Sequence, residues 1–157
     1  LLKRAGLEMV YIGIESSDAK VLNGIKRFTV DNDEQYLKIK QLVDKKIIVK
    51  SMYMFGNPDD DISSIKTTIK YSKYLPNQLV QYSVFTPYPG TPIYKTFENK
   101  ITEKKYEHFN QYNLVYKHNT LNNNNLIELK NLGYRSFYFN LGKIFIIFKS
   151  LFSLVRS

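Results

Sequence analysis

The chain contains no cysteine, so it can form neither a disulfide nor a thiolate metal site of its own. Its only histidines, His108 and His118, lie ten residues apart in a polar stretch without a nearby second ligand, a poor basis for a metal centre. Long apolar runs are missing as well. The most apolar stretch, IFIIFKSLFSLV (Ile144 to Val155), has 12 residues with one lysine inside, short of the roughly 20 needed to span a bilayer. It reads as a buried terminal helix. Contact with a membrane surface is the alternative, with Lys143, Lys149 and Arg156 as the flanking cations of a surface-lying helix. No initiator Met precedes LLKRAGLE, and these residues read as the end of an amphipathic helix closed by Gly6. The expectation is a fragment of a longer protein. No signal peptide is recognisable, which makes a cytoplasmic location the expectation.

Acidic residues are also scarce, 14 against 23 Lys and Arg, for a net charge of +9. The imbalance is uneven: residues 1–94 hold 13 basic and 10 acidic side chains, residues 95–157 hold 10 and 4. A basic tail could meet nucleic acid or anionic lipid, but lysines scattered among Asn and Tyr read as a solvated surface. The 13 tyrosines are spread through predicted strands and helices. They belong to core and rim rather than to a base-stacking platform.

What is present is a repeated design in which an apolar run ends in a polar or glycine-rich turn. It occurs in MVYIGIESS (Met9 to Ser17), IIVKSMYMFGNPDDD (Ile47 to Asp61) and LVQYSVFTPYPGTPIY (Leu79 to Tyr94). Helical periodicity fills the gaps, so the order strand, helix, strand, helix, strand predicts a parallel sheet with crossover helices. Met9 to Ile14 is continuously apolar, as expected of a central strand buried on both faces. Asp18 suits the N-cap of a helix through Val21, Leu22 and Ile25, and a second helix runs from Asp33 to Lys46 with Tyr36, Ile39 and Val43 on one face. After the strand Ile47 to Phe55, Gly56 to Pro58 form a turn with positive φ at Gly56. The next helix carries Ile62, Ile65 and Ile69 on one face and ends near Leu75, where Pro76 and Asn77 stop it. The strand Leu79 to Phe85 leads into a proline-stiffened loop through Pro92, with a type II turn at Pro89-Gly90. Beyond it, Asn122 to Asn125 reads as a surface loop, and Tyr134 to Phe139 as an aromatic cluster.

Ligands of parallel sheets lie beyond the carboxyl ends of the strands. Here those ends carry Glu15, Ser16, Asn57, Asp59, Thr86 and Tyr88. A carboxylate directly after a buried strand requires a partner, because a lone charge loses its hydration there. Arg27 could pair with Glu15 or bind a ligand carboxylate through its planar fork.

In this order the motifs resemble the radical S-adenosylmethionine (radical SAM) family, most closely its members with a cobalamin (B12)-binding domain. VYIGIESSDAKVLNGIKRFT resembles the family's strand, GIES and following helix, with a basic residue before a Thr. MYMFGNPDDDISSIKTTI resembles its G-x-P-G-E-T-x-x-x-I segment, YSVFTPYPGTPIY its f-x-P-Y-P-G-T-x-l-Y strand end, and YRSFYF a run after the core domain. The chain departs from the pattern at Ser17, where Gly is usual, and at Asp59 and Asp60, where Gly-Glu is usual. The resemblance implies an α/β fold, the C-terminal half of a partial (βα)6 TIM-like barrel, over residues 1–98. A helical, basic extension follows over residues 99–157.

It also implies cofactors. A 4Fe-4S cluster on a C-x3-C-x2-C loop outside this chain would cleave S-adenosylmethionine to a 5'-deoxyadenosyl radical that drives a modification such as methyl transfer. An upstream domain would bind cobalamin. Carried over by position, Glu15 and Ser16 would hydrogen-bond S-adenosylmethionine and Arg27 would meet its carboxylate. Gly56, Asn57 and Pro58 would shape the turn beside the adenosine, and Thr86, Tyr88, Gly90 and Thr91 would wall the substrate side. No catalytic residue and no metal ligand is assigned in this chain. The implied partners are the N-terminal half of the same protein, an electron donor such as flavodoxin or ferredoxin, and a small-molecule substrate rather than nucleic acid. Two alternatives stand beside this reading: a tRNA-modifying relative gripping RNA with its basic tail, and an inactive scaffold acting through a partner or membrane surface.

Overall fold

A computed structural model describes residues 3–28 and 31–155, with side chains through residue 150 and at 152. Three strands, β1 (Met9–Glu15), β2 (Ile48–Phe55) and β3 (Leu79–Val84), form one parallel sheet in the order β1-β2-β3. Helices α1 (Ala19–Gly24) and α2 (Asn32–Asp44) link β1 to β2, and α3 (Ile62–Tyr74) links β2 to β3. The chain continues through α4 (Pro92–Phe97), α5 (Asn123–Tyr138) and α6 (Leu141–Val155). The sequence-predicted α/β architecture of three βα units with a helical C-terminal part is the observed one, consistent with a partial barrel.

Polar residues that bond back to the first turn start the helices. Asp18 accepts from the N–H groups of Lys20 and Val21, Asp31 does the same for α2, and Asp61 and Ser64 form a capping box on α3. Alternation along the strands then sorts the side chains. Val49, Ser51, Tyr53 and Phe55 of β2 and Val80, Tyr82 and Val84 of β3 turn to one face and are buried. There they pack with Ile39 of α2, Ile65 and Ile69 of α3, and Leu126, Leu129 and Phe137 of α5. The C-terminal extension thus shares one core with the sheet. The other face carries Tyr11, Lys50, Met52, Met54, Gln81 and Ser83, none of them buried, with the Lys50 ammonium 5.2 Å from the Tyr11 ring centre.

This corrects the expectation for Met9 to Ile14. β2 is the central strand and β1 an edge, with Tyr11 62% exposed. An apolar run alone cannot tell a doubly covered strand from one whose second face lacks a partner. The opposite edge is closed unusually: the Tyr134 hydroxyl accepts from the Tyr82 N–H at 3.1 Å, and that of Tyr138 lies 3.4 Å from the Val80 nitrogen. Four residues of helix rise about 6 Å and two residues of strand about 6.6 Å, so tyrosines at i and i+4 match alternate strand groups.

Other expectations change too. Asn122 to Asn125 are not a loop: Asn122 caps α5 and, with Asn125, forms a reciprocal box, since asparagine serves a cap as readily as a turn. Pro92 begins α4 instead of ending a loop, with Thr91 as its cap. Residues Lys3–Ala5 form a single 3-10 turn closed by Gly6 at φ 93°; Leu1 and Leu2 of the predicted helix end lie outside the described residues. The terminal segment is helical, but among its described apolar side chains none is fully buried. Leu141, Phe145, Phe148 and Phe152 of α6 are exposed, whereas Lys143, read as a flanking cation, is buried. Arg156 lies outside the described residues, as does Thr29 of the first motif.

Candidate functional site

Glu15 ends β1 with a register shift against β2 and with φ at 67°, in the left-handed region. That turn folds its carboxylate back over Gly13. A Cβ at Gly13 would lie 2.7 Å from Glu15 Oε1 and 3.3 Å from Arg27 Nη2, so glycine there makes room for both groups. Arg27 arrives from the chain just after α1, where Lys26 also has positive φ and the Arg27 N–H donates to the Leu22 carbonyl. Its guanidinium donates to Glu15 Oε1 at 2.9 Å, with the arginine side chain 55% and the glutamate side chain 18% exposed. The contact uses one N–H and one carboxylate oxygen. Among the described residues nothing else bonds Oε2 or the remaining guanidinium N–H groups.

The pair borders a cleft of about 730 Å³ at the carboxyl ends of the strands. Gly24, Ile25 and Lys26 beside Arg27, Met54 and Pro58 at the end of β2, Phe85 after β3, and Pro92, Ile93, Thr96 and Phe97 of α4 form the remaining wall. It is an apolar surface with an ion pair at one side, the composition of a small-molecule site. Arg27 also borders a second, more polar hollow of about 480 Å³ with Ser16, Ser17, Asp31 and Gln35.

The structure brings together Glu15, Arg27 and Pro58 of the sequence-predicted residues. Ser16 is buried, and its hydroxyl lies 3.2 Å from that of Thr68 while accepting from the Asp18 N–H, tying the end of β1 to α3. Asn57 also turns inward. Its backbone and side-chain nitrogens donate to Asp60, and its carbonyl accepts from His118 Nε2 at 2.8 Å. His118 Nδ1 in turn accepts from the N–H groups of Thr120 and Leu121, so Nε2 carries the proton and the ring is a structural brace. Burial raises the Asp60 carboxyl above its ordinary range, opposed by hydrogen bonds from Ser64 and Asn57.

Gly56 has φ 76°, and its carbonyl accepts from the Tyr116 hydroxyl at 2.7 Å, so this turn packs against the C-terminal part. Thr86 is buried and donates to the Val84 carbonyl. Tyr88, Gly90 and Thr91 form the turn that launches α4, with Gly90 at φ 85°, and their side chains do not line the cleft. Sequence reasoning missed Ile93, Thr96 and Phe97, although Thr91 followed by Pro92 is a recognisable helix start. Among the described residues, no group of three or more His, Asp or Glu could hold a metal ion.

No known family profile matches the chain. Curated relatives do. The bacteriochlorophyllide d C-12(1)-methyltransferase of Chlorobaculum tepidum is 23% identical over 82% of this chain and 28% of its own length. An uncharacterized methyltransferase of Pyrococcus horikoshii is 25% identical over 87% of this chain and 30% of its own. The hopanoid C-3 methylase of Methylococcus capsulatus is 27% identical over 69% of this chain and 21% of its own. The chain therefore spans less than a third of the length of these relatives.

Proposed function

We propose that the chain is part of a radical S-adenosylmethionine methyltransferase, as its similarity to methyltransferases supports, and that its rim cleft is the part of such an enzyme that holds S-adenosylmethionine and walls the acceptor substrate. One observation carries this reading: the partly exposed Glu15–Arg27 pair beside a mostly apolar cleft, where the parallel strands end. An amino-acid end with an ammonium and a carboxylate needs an acceptor and a cation side by side. The single-contact pair leaves Glu15 Oε2 and most of the Arg27 N–H groups to supply them. Because the pair is partly solvated, opening it for a ligand costs about 1 kcal/mol or less. Met54, Phe85, Ile93 and Phe97 suit the uncharged parts of the cofactor and an apolar acceptor.

S-adenosylmethionine would supply the group or radical that modifies the acceptor. The chain's own residues bind and orient it and keep water from its apolar side. A 4Fe-4S cluster does not fit these residues, since the chain has no cysteine to ligate it. The cluster and cobalamin enter the proposal only as groups held elsewhere in the enzyme. Relatives named for bacteriochlorophyllide and hopanoid methylation support methyl transfer to a small molecule.

The test is S-adenosylmethionine binding by calorimetry to the anaerobically isolated native protein, with its intact mass and iron content measured alongside. Glu15→Gln and Arg27→Ala should each weaken binding about tenfold or more, as expected for hydrogen bonds to charged groups. Unchanged affinity in both variants would place the cofactor elsewhere.

A further inference from the structure

We propose that α6 docks the protein on an anionic lipid surface. At 3.6 residues per turn, Leu141, Phe145, Phe148 and Phe152 fall within roughly 60° of one another on the helix. All four are exposed, at 83%, 68%, 58% and 66%. The opposite side of the helix is bonded to the protein. The Lys143 ammonium donates to the Leu75 carbonyl and, at 3.2 Å, to the Asn77 carbonyl, and lies 4.6 Å from the Phe137 ring centre. Gln78 Nε2 donates to Ser150 Oγ at 3.0 Å. The helix is therefore held in place with its aromatic stripe outward.

Charge identifies the occupant. No Asp or Glu occurs after Glu128, whereas Lys130, Arg135, Lys149 and Arg156 do, besides the buried Lys143. Exposed Lys149 flanks the stripe and borders a groove of about 370 Å³ with Lys40 and Lys46 from the end of α2. Lys40 is paired with Asp44, whereas Lys46 and Lys149 have no ion-pair partner among the described residues. Protein interfaces are depleted in lysine, and an apolar stripe beside unpaired lysines matches the acyl and headgroup layers of an anionic bilayer. The helix is not long and apolar enough to cross one, so it lies along the surface. Leu75, Asn77 and Gln78 precede β3, and Lys46 precedes β2. Docking through α6 therefore uses the base of the sheet and leaves the rim cleft at the opposite end.

Flotation of the full-length native protein with phosphatidylcholine vesicles, with and without phosphatidylglycerol, tests this. Binding should need phosphatidylglycerol and weaken with salt. The double variant Phe145→Ser/Phe148→Ser should bind at least about tenfold more weakly, and Lys149→Gln roughly fivefold more weakly, with thermal unfolding unchanged. Absence of binding by the wild type, or equal binding by the phenylalanine variant, would overturn the proposal. So would light scattering that finds a dimer which the phenylalanine variant dissociates, since the stripe would then be covered by a second copy.

Discussion

Glu15 combines two properties that usually exclude each other. A non-glycine residue at positive φ costs roughly 1–2 kcal/mol, and the half-exposed contact with Arg27 returns about 1 kcal/mol or less. The position is thus kept in a strained conformation that its own ion pair does not compensate. Glu15→Gly should leave stability against urea unchanged, or raise it by up to about 1 kcal/mol, while S-adenosylmethionine binding falls as in Glu15→Gln. A structural role alone predicts the reverse, a loss of stability with the pair. Asn57 and Ser16 teach a different lesson. Both stand beside the rim in sequence, yet one braces Asp60 and His118 and the other Thr68. A polar residue at a strand end is as useful for fastening the following helix as for meeting a ligand.

Among the elements, α5 does two jobs. Through Leu126, Leu129 and Phe137 it completes the core, and through Tyr134 and Tyr138 it occupies the backbone edge of β3. A free edge invites pairing with other strands. Tyr134→Phe/Tyr138→Phe removes the hydroxyls and little else, so it should unmask the edge. The expected outcome is concentration-dependent association in sedimentation, with a stability loss of about 1–3 kcal/mol for the two lost bonds. The close approach of α5 to the sheet rests on Gly133, where a Cβ would lie 2.7 Å from the Tyr82 ring. In the sequence the end of α5 reads only as an aromatic cluster, and its asparagine-rich start resembles a loop because the same side-chain oxygen serves both turns and caps.

At the scale of the whole molecule, α6 is fastened through the buried side-chain nitrogen of Lys143. Burial pulls Lys143 down to about 7 from an ordinary 10.5. Between those values the unfolded chain binds the proton and the folded chain does not, so stability should rise as pH climbs from about 7 toward 10.5 and be least below 7. Thermal unfolding of wild type and Lys143→Met across that range checks it: the methionine variant should lose the rise. The bare sheet face and the cleft have the opposite character. They are open surfaces at the strand ends and along Tyr11, Lys50 and Gln81, where a barrel has its interior.

The sequence by itself determined the three βα units, their caps and their turns, because strand alternation, helical spacing and short polar caps act between near neighbours. It also carried the resemblance to radical S-adenosylmethionine proteins, since the motifs keep their order. Only the tertiary structure decided that β1 lies at the edge of the sheet among the described residues, that Glu15 turns back onto Arg27, and that Ile93, Thr96 and Phe97 line the cleft. It also decided that Lys143 is buried while the phenylalanines of α6 face outward. Each of these depends on which surfaces meet across tens of residues. Hydrophobicity gives every apolar side chain the same tendency to be buried, and only the packed arrangement determines which of them find a partner.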